Sequence, residues 1–181
     1  FDLQHFEMIH VWHHIFADPK NNIHFFINQN IANKIIKSGL SNVKYTTLVE
    51  DDFKHIDDFF NAGVKHIHQH KIDVIILNTV DVHYKSTWKF VKQLSIPVFI
   101  TVHNINTWLN PPFTLNKKAL GFYYYRHKII SKTSGLIVQE ELFIENVKNH
   151  TRYKKPVFAF PYTLNEKSTP LPKNKKLVVA I

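Results

Sequence analysis

The sequence contains no cysteine and only four glycines among its 181 residues. Without cysteine, the chain has no disulfide framework, no thiolate metal site and no thiol nucleophile. It also lacks the Gly-x-Gly-x-x-Gly fingerprint of dinucleotide binding and the phosphate-binding loop of nucleoside triphosphatases. The Gly-x-Ser-x-Gly elbow of the usual hydrolases is missing, and no apolar run is long enough to cross a bilayer. These absences argue against each of those classes of protein.

The composition is that of a basic globular protein. Hydrophobic residues make up 44% of the chain and charged residues 20%, and the formal net charge is +9. A basic surface attracts phosphates on lipids, nucleic acids or small molecules. Lysine far outnumbers arginine, and lysine acts as a point charge rather than as a shape-reading fork. This balance favours a membrane surface or a phosphorylated substrate over sequence-specific nucleic acid.

Short apolar runs alternate with stretches of helical periodicity along the chain. Such alternation predicts an α/β fold, a Rossmann-like doubly wound parallel sheet in three layers with right-handed crossovers. The predicted strands are 23–27, 43–49, 72–79, 98–102, 135–139 and 156–160. The predicted helices are 3–16, 31–38, a long helix capped by Asp51 and Asp52, 84–94, 118–132 and 140–149.

The composition changes near the end of the chain. Residues 162–176 contain Pro170, Pro172 and a lysine cluster, which is typical of a linker. Residues 177–181 form a strand-like run that stops without a turn, and proteins seldom end inside a buried strand. We therefore predict one domain over 1–161, a linker over 162–176 and the first strand of another domain over 177–181, in a piece of a longer protein.

Polar residues follow several predicted strands directly. In open parallel sheets, ligands bind at the carboxyl ends of the strands. The candidate substrate-contacting residues at these ends are Asn78, Thr79, Asp81, His103, Asn104 and Glu140. The run Ile96–Val102 is apolar and ends abruptly in His103, so a titratable side chain is predicted where this architecture places its chemistry.

Two histidine pairs have the spacing of helical metal ligands. His10 and His14, and His66 and His70, are each four residues apart and would share a helix face. The first pair lacks the glutamate of the zinc-protease motif. The second lies at the end of the long helix, where the helix dipole favours charged histidine. We predict no metal site.

Aromatic and basic residues are interleaved over 108–132. The candidate docking residues are Trp108, Phe113, Lys117, Lys118, Tyr123, Tyr124 and Arg126. Such a segment suits an anionic membrane interface, and it also suits stacking on single-stranded nucleic acid. A third interpretation is a packed aromatic core beneath a solvated basic face. We predict docking to a membrane or a lipid-linked acceptor, without nucleic acid.

Four segments together resemble a known family. Residues 97–104 (PVFITVHN), 134–140 (SGLIVQE), 156–162 (PVFAFPY) and 175–181 (KKLVVAI) resemble corresponding strands of GT-B-fold glycosyltransferases, especially the retaining group often numbered family four. The family's glycine-rich first loop and its paired-glutamate motif are not in this chain.

The resemblance implies an N-terminal, acceptor-side domain over 1–161, with 177–181 opening a donor-binding domain. It implies a metal-free enzyme without cofactor that moves a sugar from a nucleotide diphosphate to a glycan or lipid-linked acceptor, as in bacterial cell-envelope polysaccharide synthesis. His103 would reach the donor sugar or its phosphate. The enzyme would be cytoplasmic, peripheral at the inner membrane face, and this chain alone would be inactive.

Two alternatives belong to other classes. One is a nucleotide-sugar epimerase, because the same two-domain fold supports both reactions. The other is a non-catalytic α/β binding module. A receiver-like module is disfavoured because Asp51 and Asp52 begin a predicted helix rather than follow the first strand.

Overall fold

The computed structural model describes residues 22–37, 45–78, 83–102, 109, 116–160 and 178–180. The strands in these ranges are β1 (Ile23–Ile27), β2 (Tyr45–Val49), β3 (Ile75–Leu77), β4 (Val98–Thr101), β5 (Gly135–Val138), β6 (Val157–Ala159) and β7 (Val178–Ala180). The α-helices are α1 (Gln29–Lys37), α2 (Ile56–His70), α3 (Tyr84–Val91), α4 (Lys117–Lys132) and α5 (Glu141–His150). The chain forms two compact units, the first from 1–76 with 162–181 and the second from 77–161.

The first unit contains parallel strands. β1 pairs in parallel with β2, from Ile23 opposite Tyr45 to Ile27 opposite Val49. All five residues of β1 are buried, which explains why its sequence is a continuous apolar run interrupted only by His24. Strands buried on both faces have such sequences.

The last strand of the chain also pairs with β1. Phe25 lies opposite Val179 and Phe26 opposite Ala180, in parallel. Residues 177–181 are predicted to begin another domain, and in the structure Val178–Ala180 belong to the first unit. The predicted linker, 162–176, lies outside the described residues.

The second unit has a parallel sheet with packed helices. β4 pairs in parallel with β5, and β5 pairs in parallel with β6. Its core includes Ile100, Leu136, Phe90 and Ile129, each at most 1% exposed. The predicted α/β fold with parallel strands is therefore confirmed, and the strand and helix positions agree with the sequence patterns to within a few residues. The predicted helix over 3–16 lies outside the described residues.

The start of the long helix differs from the prediction. Glu50–Asp52 form a short 3-10 helix, and α2 begins at Ile56, with His55 at its N-cap and without a side-chain cap. Asp51 and Asp52 therefore do not cap α2. At the other end, Lys71 adopts a left-handed conformation, φ 50°, and its backbone N–H donates to the carbonyl oxygens of Ile67 and His68. This arrangement is a common way to end a helix.

Candidate functional site

The strands of the second unit end level with one another. Thr101 lies opposite Ile137 in the β4–β5 register, and Val138 lies opposite Ala159 in the β5–β6 register. The pairing continues one residue past β4, because the Val102 N–H donates to the Ile137 carbonyl at 2.8 Å. The residues that follow these strands therefore leave the sheet at one common edge.

Thr101 and Val102 are buried at this edge, at 0% and 1% exposure. Among the described residues, the Thr101 hydroxyl has no hydrogen-bond partner. Thr101 is not among the predicted site residues, because a threonine inside a β-branched run is ordinary strand composition. His103 and Asn104 come next in the chain, outside the described residues.

The other predicted substrate-contacting residues fall in different environments. Asn78 directly follows β3 and is fully buried. Glu140 is exposed and precedes α5, with extended backbone, and its carbonyl accepts a bond from the Phe143 N–H at 3.0 Å. Thr79 and Asp81 lie outside the described residues. The structure thus locates Asn78 and Glu140 after strands, as predicted.

Within the basic aromatic segment, the structure describes residue 109 and residues 116–132, so Trp108 and Phe113 lie outside the described residues. Asn116 caps α4, and its side-chain oxygen accepts bonds from the backbone N–H groups of Lys118 at 2.9 Å and Ala119 at 3.5 Å. Lys117 and Lys118 are both exposed in the first helical turn. Cations are unfavourable at a helix N-terminus, so helix stability does not account for them.

The aromatic residues of α4 divide between packing and exposure. Arg126 is only 3% exposed, and its guanidinium carbon lies 5.2 Å from the Phe122 ring centroid and 5.0 Å from that of Tyr123. Tyr124 is 55% exposed, and the Lys128 ammonium lies 4.6 Å from its ring centroid. Of the candidate docking residues that the structure describes, Lys117, Lys118 and Tyr124 are exposed, Tyr123 is half-buried and Arg126 is buried.

A groove of about 410 Å³ lies beside α4 in the same unit. Its lining includes Tyr123, His127, Arg152, Tyr153, Lys154 and Lys155. Lys155 supports the groove wall, because its Nζ donates to the carbonyls of Ser131 and Thr133, both at 2.5 Å. Burial raises the pKa of Tyr153, so its hydroxyl stays protonated at neutral pH. Arg152 and Lys154 are exposed, which makes the groove suitable for an anionic ligand.

The first unit contains a histidine cluster that is not among the predicted sites. His24 on β1 meets His66 and His70, the pair on one face of α2. His24 Nδ1 lies 2.7 Å from His66 Nε2. Burial, and then the neighbouring His66 and His70 rings, lower the pKa of His24 from 6.5 to about 4. The signal for this cluster was His24 itself, a polar residue in an otherwise apolar strand, but a pairing over 42 positions is invisible to local spacing.

Comparisons of the chain with protein-family models, curated proteins and solved structures found no match. Among the described residues, none of the helices has both the length and the apolar character needed to cross a membrane.

Proposed function

We propose that this chain is the acceptor-side half of a GT-B-fold glycosyltransferase, which moves a sugar from a nucleotide-diphosphate donor to a glycan or lipid-linked acceptor. The level ending of β4, β5 and β6 carries the proposal, because His103 comes two residues after Thr101, the last residue of β4, in the sequence. The segments that resemble the family, 97–104, 134–140 and 156–162, contain these three strands and the residues that directly follow them.

The proposed role of His103 is electrostatic. A donor positioned at the strand end stabilises the negative charge that develops on the departing diphosphate. Asn104 would shape the strand end, and Thr79, Asp81 and Glu140 would contribute polar groups for substrates, whereas Asn78 is fully buried and would not contact them. This mechanism uses no metal ion and no cofactor.

The groove beside α4 supports an acceptor that bears phosphate. Arg152 and Lys154 provide exposed positive charge there, while the Tyr123 ring offers an apolar surface. Lys117 and Lys118 add charge at the start of α4. A lipid-linked acceptor carries phosphate next to a membrane surface, so this charge distribution suits a peripheral enzyme at the cytoplasmic face.

The test compares the protein expressed from its complete reading frame with the 181-residue chain. Each is offered radiolabelled UDP-sugars and GDP-sugars together with a polyprenyl phosphate acceptor, and the lipid product is counted. We expect transfer by the former and none by the latter. If the protein from the complete reading frame transfers sugar from none of these donors, the proposal is contradicted. If the 181-residue chain alone transfers sugar, its assignment as one half of the enzyme is contradicted.

The role of His103 is tested in the protein from the complete reading frame. His103→Ala is expected to lower kcat by about 100-fold, the effect of losing one preorganised donor. His68→Ala is the matched control, because His68 is exposed on α2 and has no proposed role. Equal rates in the two variants contradict the assignment of His103.

A further inference from the structure

The histidine cluster brings together three imidazoles from two elements of the first unit. His66 and His70 are four residues apart on α2, so they lie on one face of that helix. His24 and Phe26 are two apart on β1, so they share the same face of the strand. Phe26 contacts both Phe59 and His66 of α2, with ring centroids 6.3 Å and 5.4 Å apart, which shows that this face of β1 packs on α2.

The three rings contact one another. Their centroids are 4.9 Å apart for His24 and His66, 4.8 Å for His24 and His70, and 4.2 Å for His66 and His70. Each ring can offer one nitrogen as a ligand, and these three nitrogens all lie within 4.8 Å of one another. In a tetrahedral zinc site, Zn–N bonds of 2.0–2.1 Å place ligand nitrogens about 3.3 Å apart. Small side-chain rotations therefore bring this set to coordination distance.

We propose that His24, His66 and His70 bind a divalent transition-metal ion of the Zn²⁺ type. The donor set is all imidazole, which suits zinc, copper, iron and nickel rather than calcium or magnesium. Three protein nitrogens leave one tetrahedral position for water, as in sites that keep an open coordination position.

The environment favours the binding-competent form of the ligands. A metal requires neutral imidazole, and burial together with the neighbouring rings disfavours charge on His24 and His66. Access is graded across the cluster, since His24 is 5% exposed, His66 is half-buried and His70 is exposed. The ion would enter from the solvent side of His70.

The alternative is that the cluster only joins β1 to α2 through the 2.7 Å hydrogen bond between His24 and His66. That role needs no third histidine, whereas the exposed His70 ring lies against both of the others. A direct metal titration separates the two interpretations.

The experiment uses the 181-residue chain stripped with a chelator and titrated with Co²⁺, whose visible spectrum reports tetrahedral coordination. Zn²⁺ is then added to displace it. We expect one Co²⁺ per chain at this site. His70→Ala is expected to weaken binding by at least about tenfold, since even the loss of an outer-shell partner has effects of that size. His70 is exposed, so this variant is expected to fold, and circular dichroism checks that it does.

Two further sets of variants complete the test. His24→Gln and His66→Gln are expected to lose affinity as His70→Ala does, while His68→Ala, on the same helix but outside the cluster, is expected to bind normally. The paired substitution His10→Ala with His14→Ala is also expected to bind normally. The proposal is overturned if the wild-type chain gives no tetrahedral spectrum, if His70→Ala binds as tightly as wild type, or if the His10 and His14 substitutions abolish binding. None of these outcomes bears on the transferase proposal.

Discussion

The Asp51 carboxylate accepts a hydrogen bond from the backbone N–H of Gln29, with Oδ2 and N 2.6 Å apart. Gln29 is the first residue of α1, and Asn28 before it accepts a bond from the Ile31 N–H at 3.0 Å. Two side chains, 23 positions apart, thus satisfy backbone donors at the same helix end. The negative charge of Asp51 also suits that end.

We predict that Asp51→Ala lowers the free energy of unfolding by about 1 kcal/mol, the usual cost of losing a helix-capping acceptor. Urea denaturation followed by circular dichroism measures the change. Asp52→Ala is the matched control, because Asp52 is equally exposed in the same 3-10 helix. If the two variants are equally stable, the Asp51–Gln29 bond contributes nothing.

Replacing Gly135 and Gly121 by alanine is expected to have opposite effects on the stability of the protein. A Cβ at Gly135 would lie 2.9 Å from both Phe99 Cε1 and the Pro156 carbonyl oxygen, and that carbonyl already accepts the Leu136 N–H at 3.0 Å. We expect Gly135→Ala to destabilise the protein by about 1–3 kcal/mol through overpacking. Thermal denaturation provides the measurement.

Gly121 lies inside α4, and a Cβ there, apart from its own helix backbone, would meet only the Tyr84 hydroxyl oxygen among the described residues, at 3.8 Å. Since glycine costs a helix about 0.5–1 kcal/mol relative to alanine, Gly121→Ala is expected to stabilise the protein. A destabilised Gly121→Ala, or a Gly135→Ala of wild-type stability, would contradict the packing described here.

The low pKa of His24 predicts a pH dependence of stability in the chelator-treated chain. Burial and the facing His66 and His70 rings hold the folded-state pKa at about 4, against 6.5 for an ordinary histidine. Between these values the unfolded chain binds more protons, so stability rises with pH there. The contribution of neutral His24 to the free energy of unfolding is complete above pH 6.5, and it is lost progressively as the pH falls toward about 4.

Urea midpoints measured across this interval test the pH prediction. Carboxylates also titrate below pH 5, so the comparison is made against His24→Gln, which removes the titrating group. The wild-type midpoint is expected to fall more steeply than that of the variant. Parallel curves for the two proteins would contradict the assigned pKa.

Replacing Lys117 and Lys118 is expected to weaken membrane binding without lowering the stability of the protein. Both lie in the first turn of α4, where the helix dipole disfavours cations. Replacing both by glutamine is expected to leave the free energy of unfolding unchanged or slightly higher. If these residues face an anionic membrane, each contributes about 1 kcal/mol, so the double variant binds such vesicles more than about tenfold more weakly.

Sedimentation with phosphatidylserine-containing vesicles measures this binding, and Lys148→Gln is the control because Lys148 is an exposed lysine on α5. Equal binding by the double variant and the control would remove these two residues from the docking surface. Loss of binding in both would indicate nonspecific attraction by net charge.

Local patterns predicted much of the secondary structure. The apolar runs gave the buried strands β1, β3, β4 and β5, because a strand buried on both faces needs apolar residues at consecutive positions. The helix boundaries were less accurate. Acids before an apolar helical face indicated that Asp51 caps α2, but its carboxylate lies at the start of α1 instead. A carboxylate can accept from the backbone N–H groups of any helix end that lies near it in space.

The candidate sites also have a part that the sequence predicted and a part that depended on tertiary packing. The sequence alone determined which residues follow the strands, including Asn78 and Glu140, because that order is local to each strand and its loop. Only the tertiary structure decided that Arg126 is buried, and that His24 meets His66 and His70. Such contacts depend on how a strand and a helix pack, and periodicity along the chain specifies a buried face without naming the residues that will lie against it.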